Sequence, residues 1–94
     1  MKEQHAVVCH TDNPDTDTPV VLVCIKDDFY EAQSVMEECY NKNLEEMVEY
    51  MEDMGNDNAC IHDYLMRCWC VADNAHVEWP GIKPSPYWYI ASTI

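Results

Sequence analysis

DFYEAQSVMEECYNKNLEEMVEYMEDMG, residues 28–55, is the stretch that decides the fold. Its apolar side chains recur in steps of three or four: Phe29, Ala32, Met36, Tyr40, Leu44, Met47, Met51 and Met54. That spacing lines one face of an α-helix. Asp27 or Asp28 is placed to cap the start, with Glu31 in the first turn. Gly55 follows the last apolar residue, where a C-terminal glycine belongs. The phase survives Asn41-Lys42-Asn43, so the run predicts one helix from Asp28 to Met54, ~40 Å long. The Asn-Lys-Asn triplet is the place for any bend. Leu44 and Met47 are expected to be buried.

Before this helix the chain reads as strands. His5 to His10 carries Ala6, Val7, Val8 and Cys9. A polar loop from Thr11 to Pro19 follows, and then Val20 to Lys26, apolar on both sides. A two-sided apolar strand is usually central, or covered on both faces. After Gly55, a second helix is expected from Asp57 to Ala72, with Ile61, Tyr64, Leu65, Cys68, Trp69 and Ala72 as its stripe. A short strand, His76 to Trp79, precedes a rigid proline-rich turn at residues 80–86. Tyr87 to Ile94 is the last strand. The order β-β-α-α-β-β lacks the alternation of a parallel βαβ sheet. It predicts a single α+β domain over residues 1–94, with an antiparallel sheet of about four strands and one long and one shorter helix on one face. Tyr87, Trp88, Tyr89 and Ile90 send large groups to both sides of that sheet. An uncovered side would be an interface, most simply that of a homodimer.

Charge narrows the function. The 94 residues hold 18 Asp and Glu against 5 Lys and Arg, a formal charge of −13. Solubility alone needs a magnitude of roughly 2–8. The apolar content of 48% excludes an acidic disordered tail. A polyanionic ligand is disfavoured, so no direct nucleic-acid binding is expected. Glu31, Glu38, Glu45 and Glu52 are seven apart, nearly in line on the long helix, flanked by Glu37, Glu46, Glu49 and Asp53. Lys42 is the one cation among them. The net density is one charge per ~5 Å of helix. A single DNA strand carries one per ~3.4 Å and the duplex one per ~1.7 Å.

Other chemistries are poorly served. Cys60-Ile61-His62 and Cys68-Trp69-Cys70 suggest a small zinc-binding structural domain, but zinc knuckles use C-x₂₋₄-C spacing. On the expected helix Cys68 and Cys70 point ~200° apart. The six cysteines are therefore expected to be free thiols, with no metal and no cofactor. An enzyme is not expected. The serines lack a nucleophile context, and the negative surroundings raise thiol pKa values. Asp12 to Asp17 lacks the glycine and terminal glutamate of a calcium loop. No segment approaches the ~20 apolar residues of a membrane span, and the first residues lack a secretory hydrophobic region. The expected location is the cytoplasm, that of a host cell included.

The expectation is thus a small acidic, non-enzymatic interaction protein. It would block the basic groove of a nucleic-acid-binding protein by charge mimicry, as phage anti-defence inhibitors of the anti-CRISPR type do. The residues expected to meet that partner are Glu38, Glu45, Glu49 and Glu52, with Tyr50 as an aromatic anchor. The alternatives are the zinc domain, or a dimeric module whose acidity serves only solubility.

Overall fold

A computed structural model describes residues 3–11, 20–81 and 84–93. In chain order the elements are β1 (Gln4–Thr11), β2 (Val20–Lys26), α1 (Phe29–Asp53), α2 (Asn58–Leu65), β3 (Trp69–Cys70), β4 (Asn74–His76) and β5 (Pro86–Thr93). The strands form one sheet in the order β2-β1-β5-β4-β3, with every pairing antiparallel. This is the expected α+β architecture with one strand more than expected. No helix among the described residues is long and apolar enough to cross a membrane.

Helix α1 is continuous through Asn41-Lys42-Asn43. Asp28 caps it, accepting a hydrogen bond from the Tyr30 amide at 3.0 Å. Its C-terminus closes in a Schellman motif. The Asn56 amide donates to the Met51 carbonyl and the Gly55 amide to the Glu52 carbonyl, both at 3.0 Å. Gly55 sits at φ +81, a conformation in which a Cβ is strained. Asn43 is more than a tolerated weak helix former, since its Oδ1 accepts from Trp79 Nε1 at 2.8 Å. That bond ties the middle of α1 to the segment after β4.

The core lies between α1 and one face of the sheet. Ala32, Met36, Met47 and Met51 from α1 meet Val7, Ala75, Val77 and Trp88, with Ile61 from α2 joining them. Met47 is fully buried as expected, whereas Leu44 is only half-buried. Residues of β1 and β5 alternate between the helix side and the open side. His5 and Val7 face the helix, and His5 meets Phe29 edge-on at 5.4 Å. Residues paired across the sheet share a face, so the register places Ala6, Val8, Tyr87 and Tyr89 on the open side.

Three expectations are corrected. First, α2 stops at Leu65 instead of reaching Ala72. The last turn tightens, with Arg67 and Cys68 amides donating to the carbonyls three residues back. Cys68-Trp69-Cys70-Val71 then favours extended structure. Trp69 pairs with His76 and Cys70 with Ala75, around a turn closed by the Val71 amide on the Asn74 carbonyl at 2.9 Å. Trp69 Nε1 also donates to Asn74 Oδ1 at 2.6 Å. This hairpin supplies the additional strand. It also moves the strand expected at His76 to Trp79 back to Asn74–His76, ahead of the prolines.

Second, β2 is not central. It stands at the sheet edge, and Val20, Val21, Leu22, Val23 and Ile25 are all exposed. The C-terminal strand β5 takes the interior place between β1 and β4. Third, Leu44 contributes to a surface groove and not to the sealed core.

Candidate functional site

The heptad spacing of the glutamates and the apolar stripe of α1 share one cause, the 3.6-residue turn. Once Met36, Met47 and Met51 face the sheet, the carboxylates must face outward. Glu31, Glu37, Glu38, Glu45, Glu46, Glu49, Glu52 and Asp53 are all exposed, as is Lys42. None of the eight carboxylates forms an ion pair among the described residues. The aspartates Asp12, Asp15 and Asp17 lie outside the described residues.

Within this face the sequence-expected residues separate into two groups. Glu45, Glu49 and Glu52 follow one another at steps of four and three and edge an open groove of about 430 Å³. Its floor is Leu44 and Val48 from α1 and Leu65 from the last turn of α2. Glu38 lies outside the groove, on the N-terminal half of the helix. Tyr50 is half-buried, with its ring against Trp79 at a centroid distance of 5.6 Å. That contact braces α1 against the segment after β4. The floor residues were missed in the sequence. The helix repeat places Leu44 on the buried stripe, and nothing in it shows that Leu65 arrives beside Val48. The available signal was the Leu44, Val48 step of four bracketed by glutamates.

The thiols lie elsewhere. Cys9, Cys24 and Cys39 meet where α1 crosses β1 and β2, while Cys68 and Cys70 lie near Tyr40. All six cysteines are free and partly buried. Burial pushes the Cys9 and Cys39 thiols above the ordinary range, and neighbouring sulfurs push the same way. Burial raises Cys68 and Cys70 too, with Glu37 adding its repulsion at Cys70. Cys68 donates to the Tyr64 carbonyl at 3.3 Å and accepts from the Glu78 amide at 3.4 Å. At Cys9, Cys39, Cys68 and Cys70 burial thus works against the thiolate, the form in which a cysteine is nucleophilic. Since residues 69–70 form a strand, the expected helical geometry for Cys68 and Cys70 does not apply. Among the described residues no three His, Cys, Asp or Glu side chains gather as a metal-binding group.

A second cavity of about 360 Å³ opens between Trp79, Trp88, Asn43 and Pro86. Among the described residues its lining holds one titratable group, the Cys9 thiol, which burial pushes above the ordinary thiol range.

No family model, curated protein or solved structure matches the chain. The site is therefore read from its own geometry. A groove with an apolar floor and carboxylates at its edge suits a cationic side chain with an apolar stem. The stem covers the floor while the charged head reaches the rim.

Proposed function

We propose that this protein is a non-enzymatic interaction protein that presents the acidic face of α1 to a basic protein surface. The partner class best matched is a nucleic-acid-binding protein whose Lys- and Arg-lined groove would be occupied in place of its nucleic acid. The observation that carries this reading is the groove edged by Glu45, Glu49 and Glu52 over Leu44, Val48 and Leu65. A helix that needed only a solvated surface would carry charges of mixed sign. Here eight exposed carboxylates accompany one lysine between Glu31 and Asp53. Their rigid spacing on a helix held at both ends costs little ordering on binding. Long-range attraction would speed encounter with a basic groove. Such blocking is the action of phage anti-defence inhibitors of the anti-CRISPR type. Size and charge support placing the chain in that functional class, with the host cytoplasm as its place of action.

Affinity capture with the intact chain and with the E45K/E49K/E52K variant tests the reading. The intact chain should retain a nucleic-acid-binding protein at low salt, added nucleic acid should elute it, and the variant should fail to retain it. Retention of a protein that nucleic acid does not displace, or equal retention by the variant, would reject the mimicry.

A further inference from the structure

We propose that the open face of the sheet, on the side away from α1, is the contact surface of a symmetric dimer in which two copies of this chain pack face to face. Register defines the surface. Val8 pairs with Leu22 and with Tyr89, Ala6 with Ile25, and His76 with both Tyr87 and Trp69. Leu22, Ile25 and Trp69 are 56%, 52% and 43% exposed. No described element covers this side. The surface falls into two halves, aliphatic at β1 and β2 and aromatic at β3 to β5. In the aromatic half Trp69 stands 4.7 Å from His76 and 6.4 Å from Tyr87, and Tyr87 stands 6.0 Å from Tyr89 (centroid distances).

A second copy fits this surface for three reasons. The first is electrostatic. A chain of charge −13 resists self-association, yet none of the strand residues facing this side is acidic. Glu78, at the margin, is bonded to His76 at 2.7 Å. The acidic face of α1 lies on the far side of its own sheet. Sheets packed ~10 Å apart, each backed by a helix layer ~10 Å thick, would hold the two acidic faces ~30–40 Å apart. That is several times the ~8 Å screening length at physiological salt. A basic partner would meet no acid among the described strand residues of this face, whereas a second copy would meet no repulsion from them.

The second reason is size. Strands of up to eight residues at ~3.3 Å rise and ~4.8 Å spacing give the five-stranded face a projected area on the order of 450 Å². Side-chain relief adds to this projection, which by itself is little more than half of the roughly 800 Å² per partner of a standard interface and fits one of the smaller kind. The third is self-complementarity. A two-fold axis parallel to the strands lays β2 of one copy over β3 of the other. The small aliphatic half then meets the large aromatic half twice, as interdigitating sheets require.

Edge-to-edge pairing through β2 is the competing arrangement. The register of β2 shifts between Val7 and Val8, leaving Val23 as an unpaired bulge residue. A bulge at a sheet edge obstructs addition of a further strand.

Sedimentation over a micromolar concentration series decides the matter with two variants of one strand. Leu22→Glu places a charge on the open face, and Val21→Glu places one on the other side, where Val21 is 51% exposed. The intact chain and Val21→Glu should sediment at twice the 11.0 kDa chain mass. Leu22→Glu should dissociate at least ~30-fold more readily while keeping its circular-dichroism melt. Ile25→Glu serves the same purpose should Leu22→Glu not fold. A monomeric intact chain across the series would overturn the proposal and release the face to a different protein. Equal dissociation by Val21→Glu would overturn it in favour of edge pairing.

Discussion

The two broad surfaces of this molecule are opposites. The outer side of α1 carries eight exposed carboxylates and one lysine, while the open side of the sheet presents aliphatic and aromatic strand residues without an acid among them. Both were written by periodicity. A period of 3.6 separates glutamates from methionines on α1, and a period of two sends Val7 and Trp88 inward and Val8 and Tyr89 outward. The charge of −13 is therefore not a uniform property of the surface. It is concentrated where a long helix is held at a fixed distance from an apolar face. A polar solvated coat would be distributed over both sides.

The largest expected effect comes from the layer that keeps the two surfaces apart. Met47→Ala removes a fully buried side chain between α1 and the sheet and should cost ~2–5 kcal/mol in urea denaturation. Leu44→Ala, on the half-buried groove floor, should cost visibly less. Equal losses would show that the groove is as sealed as the core. Asn43→Leu comes next. It leaves the Trp79 Nε1 donor without its 2.8 Å acceptor and should destabilise by ~1–3 kcal/mol. Gly55→Ala should cost about 1–2 kcal/mol, because φ +81 is strained for alanine although no atom lies within 4 Å of the added carbon.

The smallest effect is one of pH. Cys9, Cys39, Cys68 and Cys70 keep their protons in the fold above the ordinary thiol range, mainly through burial, and Tyr40 is raised likewise. The unfolded chain therefore loses these protons first. Their contribution to stability is complete below about pH 8.5 and declines as pH rises further. Melting temperatures should be flat through neutrality and fall in the alkaline range. Replacing Cys39 by Ala should flatten that alkaline fall, and an unchanged fall would assign it to other groups.

The same contrast explains what could be read in advance. The long helix was legible from Phe29 to Met54 because its stripe, its Asp28 cap and its Gly55 stop agree across levels. The paired strands were legible for the same reason. The Trp69–Cys70 strand was not. Cys68, Trp69 and Ala72 continue a helical step, and only pairing with residues 75–76 makes them extended. The position of β2 was also hidden. An apolar run on both sides shows that a strand is to be covered, without saying whether its own fold or another molecule covers it. At the site, the exposed glutamates followed from spacing alone. The groove did not, because it depends on where α2 brings Leu65. The contact of Tyr50 with Trp79 was hidden for the same reason, since it depends on where the chain after β4 returns to α1.

In the proposed function the C-terminal half of the acidic face acts as a shaped site and not as diffuse charge. Association kinetics with a basic protein retained in the affinity capture would test this directly, across a salt series and with two variants of equal net charge. E45K/E49K/E52K alters the groove rim, and E3K/E31K/E37K alters exposed carboxylates away from it. Each changes the charge by +6. Both should slow association at low salt, and that loss should fade as salt screens it. The groove variant should also dissociate faster, weakening the complex at least ~10-fold more than its counterpart at every salt concentration. Equal losses in the two variants, vanishing together at high salt, would contradict a shaped site and leave only net charge.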